Sequence, residues 1–140
     1  MHKQLGILAA LLFNYSHVMA TEWTSIIQDA EHEVFVDIDS YNVSDQLPYL
    51  VAKTIYQQPQ SFVSANKTIK YAISIATLQY NCEKPVYRMR AIQLLDKKSK
   101  PIKTFKINAQ FKKLVSNTDA FSIGQLTCQV HQMLGGASVQ

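Results

Sequence analysis

Glycine is scarce in this sequence, with four residues in 140, and those four form no Gly-rich loop that would cradle a phosphate. Proline is equally sparse at four. There are two cysteines, Cys82 and Cys128, far apart; they make no CxxC pair and match no zinc-ligand spacing. Of four histidines, only His32 and His131 fall beyond residue 20, too few to pair with a nucleophile and an orienting acid in a recognisable hydrolytic triad. Charged residues reach only 17%. No low-complexity tract, internal repeat or linker divides the chain, so one domain with one core is expected. Together these shortages leave catalysis without a visible site, and the expectation is that the protein is not an enzyme and carries no metal or cofactor.

What is present is apolar and aromatic. Hydrophobic residues make up 47% of the chain, with seven Tyr and six Phe. That area is enough to offset chain entropy, so a folded domain is expected and disorder is not. Residues 1–20 read as an export signal. Lys3 supplies the basic start, LGILAALLF the apolar centre, and Val18-Met19-Ala20 the small side chains before cleavage. The apolar run is too short to cross a bilayer as a helix. No cysteine follows it closely, so a lipid anchor is not expected. The domain proper is read as residues 21–140. In an exported chain the two cysteines predict one disulfide, Cys82–Cys128, although two free thiols are the alternative.

Charge is segregated along the chain. Residues 21–52 hold seven acids and no Lys or Arg; residues 53–118 hold thirteen basic residues against Glu83 and Asp96. The two blocks can neutralise each other across neighbouring strands. Alternatively they create a basic face that attracts anionic partners. Removing the leader takes away Lys3 and changes the formal net charge from +4 to +3.

The stretch 69–95, IKYAISIATLQYNCEKPVYRMRAIQLL, organises the rest. Residues 69–80 and 86–95 read as two long strands around a turn at Glu83-Lys84-Pro85. Residues 23–28, 34–39, 48–58 and 101–107 read as four more strands, with 40–46 and 59–68 as loops. Ala72, Ser74 and Ala76 leave room for something to lie on their face. Strict alternation places Arg88 and Arg90 on one face with Ile92 and Leu94. Asn117-Thr118-Asp119 offers a helix cap, and Ile123, Leu126, Val130, Met133 and Leu134 recur at helical spacing towards Gly135-Gly136. A seventh strand through Leu126, Cys128 and Val130 is the alternative. The fold class predicted is α+β: an antiparallel meander of about six strands, a C-terminal helix packed on it, and one disulfide.

Candidate binding residues are the cations Arg88, Arg90, Lys97, Lys98, Lys100, Lys103 and Lys106. Aromatic residues interleave with them, as at a nucleic-acid surface, but export argues against that partner. Anionic envelope components or host matrix fit the compartment better. Asp37 and Asp39 share a strand face, where a solvated or ion-paired role is expected rather than a cation site. Asn42 and Asn66 begin glycosylation sequons, which matter only in a eukaryotic secretory pathway. His32 lies between Glu31 and Glu33 and reads as part of a solvated turn. His131 falls in the last turn of the proposed helix.

Several landmarks stand in a familiar order. They are Trp23, the strand VFVDIDS ending at Ser40, Tyr80-Asn81-Cys82, Tyr87-Arg88, and Leu126-Thr127-Cys128. In this order the chain resembles the bacterial surface-adhesin protein E family. The resemblance covers nearly all of residues 21–140. It implies an antiparallel sheet with a C-terminal helix tied to it by the disulfide. The family's namesake acts at the cell surface on host extracellular-matrix proteins and is associated with dimers and haem. The function expected here is an exported, non-catalytic, adhesin-like binding protein of the periplasm or cell surface. A homodimer is compatible with that expectation. The alternative is a periplasmic ligand-binding or structural protein with no host contact.

Overall fold

The computed structural model describes residues 21–135. The predicted leader at 1–20 and the tail beyond 135 lie outside the described residues. Eight elements follow in order: β1 (Thr24–Gln28), β2 (His32–Ser44), β3 (Leu47–Ser64), β4 (Lys67–Asn81), β5 (Val86–Leu95), β6 (Pro101–Lys106), β7 (Lys112–Lys113) and α1 (Asp119–Met133). Strands β1 to β6 sit side by side in chain order, each antiparallel to the next, and β7 pairs with β5. The predicted meander and C-terminal helix are therefore present, and the rival seventh strand through Leu126 is not.

Alternation places one side of the sheet under the helix. A single row crosses five strands there: Val36, Ala52, Ala76, Ile92 and Phe105. Val34, Leu78, Tyr80 and Leu94 lie beside it, and Ile123 of α1 closes the cluster. Of the small residues on β4, Ser74 and Ala76 are buried and Ala72 is half-buried. Burying roughly nine such residues supplies most of the folding energy, at about 1.5–3 kcal/mol for each large side chain.

Two predicted loops are strand instead. Residues 40–46 and 59–68 continue β2, β3 and β4 into tight two-residue turns at Asp45-Gln46 and Ala65-Asn66. All four turn residues have positive φ, between 47° and 65°. That is the geometry of the hairpin turn whose twist matches its flanking strands. Irregularities absorb the extra length, at 37–42 in β2 and 55–60 in β3. At the first, Ser40 Oγ accepts from Val51 N at 2.9 Å and Asp37 Oδ1 accepts from Asp39 N at 3.1 Å. The Asp37 carboxylate thus stabilises its own strand's bend.

Helix α1 starts at the N-cap Thr118, whose side chain accepts from Phe121 N at 3.2 Å. Of the predicted stripe, Ile123 is buried and Leu126 packs against the core, but the rest of the buried face is different. Ala120, Ile123, Gly124, Thr127 and His131 face the sheet, with Ile123, Gly124 and Thr127 fully buried. Met133 and Leu134, predicted to be inside, are 83% and 66% exposed. They fall at the end of the helix, past the Tyr41–His131 hydrogen bond that ties it to the sheet. The Tyr80 ring fills the space beneath the helix, and only a glycine can pass over it. The Tyr80 hydroxyl donates to the Ala120 carbonyl at 2.7 Å, and its ring stacks on Tyr87 with centroids 5.7 Å apart. The Cys82–Cys128 disulfide joins the end of β4 to the helix with the two Cα atoms 5.6 Å apart. No described helix is long and apolar enough to cross a membrane.

Because the strands keep chain order, the charge segregation of the sequence becomes spatial. Glu33, Asp37 and Asp39 lie on β2, and Asp29 and Glu31 in the turn before it; Asp45, in the turn after it, instead reaches Arg88 of β5. At the opposite flank stand Arg88, Arg90, Lys103, Lys106, Lys112 and Lys113 of β5, β6 and β7.

Candidate functional site

The sheet face away from α1 carries cations set against aromatic rings. On its acidic side, Lys53 Nζ lies 4.6 Å from the Trp23 ring centroid and 5.0 Å from that of Phe35. Burial pushes the Lys53 ammonium below its usual range, partly offset by the nearby Glu33. On its basic side the face dips into a concavity of about 510 Å³ lined by Tyr49, Thr77, Arg88, Arg90, Ala91 and Lys106, with residues 107–109 as its wall.

Two adjacent strand rows build the floor. One runs Tyr49, Gln79, Arg88; the other runs Val51, Thr77, Ala91, Lys106. A bulge in β5 brings them together. Thr77 pairs with Ala91 and Leu78 with Met89, so Arg90 has no partner on β4. One extra residue reverses the alternation beyond it. Tyr87 and Met89 therefore join Ile92 and Leu94 on the helix side, while Arg88 turns to the open face. This corrects the expectation that Arg88 and Arg90 share a face with Ile92 and Leu94. The wall has a related origin. Strand β6 pairs with the far half of β5 and β7 with the near half, at Tyr87 and Val86. Between them the chain leaves the sheet after Ile107 N, which donates to the carbonyl of the bulged Arg90 at 2.8 Å.

Arg88 is fixed in place. Its Nε donates to Gln79 Oε1 at 2.9 Å, and its guanidinium carbon lies 4.6 Å from the Phe111 ring centroid. Gln79 is fully buried, and its Nε2 donates to the carbonyls of Ser44 at 2.7 Å and Leu47 at 3.2 Å. Asp45 stands at the rim, its Oδ2 3.7 Å from Arg88 Nη2 and its side chain 79% exposed. Screening by water leaves that pair little energy. The Arg90 guanidinium carbon lies 5.3 Å from the Tyr49 ring centroid. Neither Arg90 nor Lys106 has a carboxylate partner among the described residues.

The seven predicted cations thus divide. Arg88, Arg90 and Lys106 converge in the concavity. Lys97, Lys98 and Lys100 occupy the exposed turn between β5 and β6, where backbone N–H groups of Lys98 and Lys100 donate to Asp96 Oδ1. Lys103 projects on the helix side, opposite Leu94, with its Nζ 5.3 Å from the Phe105 ring centroid. Tyr49, Thr77, Gln79 and Phe111 were not legible as site residues; each reads in the sequence as an ordinary strand or loop residue.

A second concavity of about 490 Å³ surrounds His32, Tyr56, Gln57, Gln58, Gln60 and Asp119. His32 is not a solvated turn residue. Its Nδ1 lies 3.0 Å from Asp29 Oδ1 and its Nε2 2.7 Å from Asp119 Oδ2, and its ring stacks on Tyr56. Only a doubly protonated ring can donate to both carboxylates. Burial opposes that charge, but the hydrogen bonds and charges of Asp119 and Asp29 outweigh it, so the His32 pKa is raised. At the other end of α1, the Tyr41 hydroxyl meets His131 Nδ1 at 2.7 Å. Among the described residues, no group of three or more His, Cys, Asp or Glu side chains is placed to hold a metal ion.

A raised histidine stabilises the fold fully below its unfolded value, near 6.5, and that contribution fades as pH rises through the folded value. Melting temperatures of the protein and of His32→Gln should therefore differ most near pH 6 and converge towards pH 9. A gap independent of pH would show that the ring is not charged between its two acids. Asp29 acts in the opposite direction. Backbone N–H groups of His32, then Glu31, hold its pKa below the usual value, so its contribution is lost in acid as pH falls through that lowered value.

The fold and site define a class: an antiparallel six-strand meander, clasped by one helix, with a cationic concavity on its open face. Compared with known proteins, the chain matches no family model, no curated protein and no solved structure.

Proposed function

We propose that the protein is an exported, non-catalytic binding protein of the bacterial cell envelope, adhesin-like in behaviour, whose partner is anionic and enters the concavity at Arg88. One observation carries this reading: Arg88, Arg90 and Lys106 converge on an open face with a single exposed carboxylate at the rim. Arg88 has only the exposed Asp45 as a carboxylate partner among the described residues and Arg90 has none, and guanidinium groups in that state are suited to hold an anionic partner. The disulfide suits an oxidising compartment. The resemblance to the bacterial surface-adhesin protein E family, carried by Trp23, Tyr80-Asn81-Cys82, Tyr87-Arg88 and Leu126-Thr127-Cys128, favours host extracellular-matrix proteins as the partner.

Charge reversal tests the reading. Arg90→Glu and Lys106→Glu should each weaken binding to immobilised matrix proteins by about tenfold, or about 1.4 kcal/mol. Lys97→Glu and Lys98→Glu, in the remote turn, should change it by less than about threefold. Equal effects from both pairs would remove the concavity from the account. Protease shaving of intact cells then separates a surface adhesin, which is cleaved, from a periplasmic protein with no host contact, which survives.

A further inference from the structure

We infer that the concavity selects a tetrahedral oxyanion ester, a sulfate or phosphate carried on a saccharide, over a carboxylate. The inference rests on the binding reading above and names the ligand chemistry of the same site.

The selectivity begins with Gln79. Both of its amide hydrogens are committed to the Ser44 and Leu47 carbonyls, which turns Oε1 towards Arg88 Nε. A buried glutamine with its orientation fixed in this way leaves the arginine little freedom. Only one of the five guanidinium donors is used by it. The Asp45 contact at 3.7 Å is longer than a hydrogen bond, so the Nη donors remain for a ligand. The Arg88 side chain is 24% exposed, enough for a ligand to reach it. Ordering this arginine on binding therefore costs little.

Arg90 and Lys106 add charge from two other positions, the β5 bulge and the β6 strand across Ala91. A carboxylate offers two oxygens in one plane. A sulfate or phosphate ester offers three free oxygens arranged as a tripod, which three cations in different directions can satisfy together. A space of about 510 Å³ is within the range that holds a small organic molecule, far more than one oxyanion. The hydroxyls of Thr77 and Tyr49 and the amide of Asn108 line that remaining space and suit the hydroxyls of a sugar.

Titration calorimetry with the purified protein tests this, using three probes of matched charge density. They are a keratan-type oligosaccharide with one sulfate per disaccharide and no carboxylate, a singly phosphorylated glucosamine disaccharide, and a hyaluronate oligosaccharide with one carboxylate per disaccharide. At least one oxyanion probe should bind about tenfold more tightly than hyaluronate, a difference of about 1.4 kcal/mol. Which of the two binds identifies a host glycan or an envelope glycolipid as the source. Arg88→Lys keeps the charge and loses the fork. It should cost the oxyanion probe about tenfold and hyaluronate less than about twofold. Equal affinity for all three probes, or no effect of Arg88→Lys, overturns the selectivity. If none of the probes responds to Arg90→Glu, the binding reading itself fails.

Discussion

Cys128→Ser is expected to lower folding stability by about 4 kcal/mol, because the closed loop of 46 residues regains its unfolded-state freedom. The helix keeps other attachments: the Tyr80–Ala120 and Tyr41–His131 hydrogen bonds, the His32 bridge to Asp119, and the burial of Ile123. Each contributes about 1–3 kcal/mol at most, so none replaces the covalent link. With a urea slope of about 1–3 kcal/mol per molar, the unfolding midpoint should fall by more than about 1 M. Cys82→Ser should match it, and the double variant should be no worse than either. A loss below about 1 kcal/mol would mean the tail is held by packing alone, since the loop-entropy contribution would then be absent.

The second large effect is at Gly124. A Cβ there would sit 2.5 Å from Tyr80 Cε1 and 2.8 Å from Cδ1. The ring has nowhere to go. It is 1% exposed, hydrogen-bonded at its hydroxyl and stacked on Tyr87. Alanine would ordinarily favour a helix over glycine by about 1 kcal/mol. Overpacking costs about 1–3 kcal/mol and wins, so Gly124→Ala should destabilise slightly and Gly124→Val by about 3 kcal/mol. Chemical denaturation of the pair measures this directly. A stabilised Gly124→Ala would place the ring elsewhere.

Much of the architecture was legible because it rests on local patterns. Period-two runs marked the six strands, and two cysteines in a chain with an export-like start marked the clasp. Other features depended on interactions that no local pattern carries. The turns at Asp45-Gln46 and Ala65-Asn66 adopt positive φ without the glycine that usually announces such turns. The bulge at Arg90 shifts parity by one residue, and nothing in YRMRAI marks where the extra residue falls. The helix face was misplaced because Gly124 reads as a helix weakener until Tyr80, 44 positions earlier, is seen beneath it. His32 and Asp119 are 87 residues apart, so their hydrogen bond has no sequence signature. The concavity combines these failures. Three of its cations were identified, but not the bulge that gathers them or the buried glutamine that fixes one of them.

The ordering of strands by chain position has a consequence for adsorption. Acids collect at the β1–β2 flank and bases at the β5–β7 flank, so the molecule carries a lateral dipole in the plane of its sheet. Near an anionic film such a body turns before it touches, landing on its cationic rim. The acidic rim is then held outward, and the turning force acts over a Debye length of about 8 Å at physiological salt.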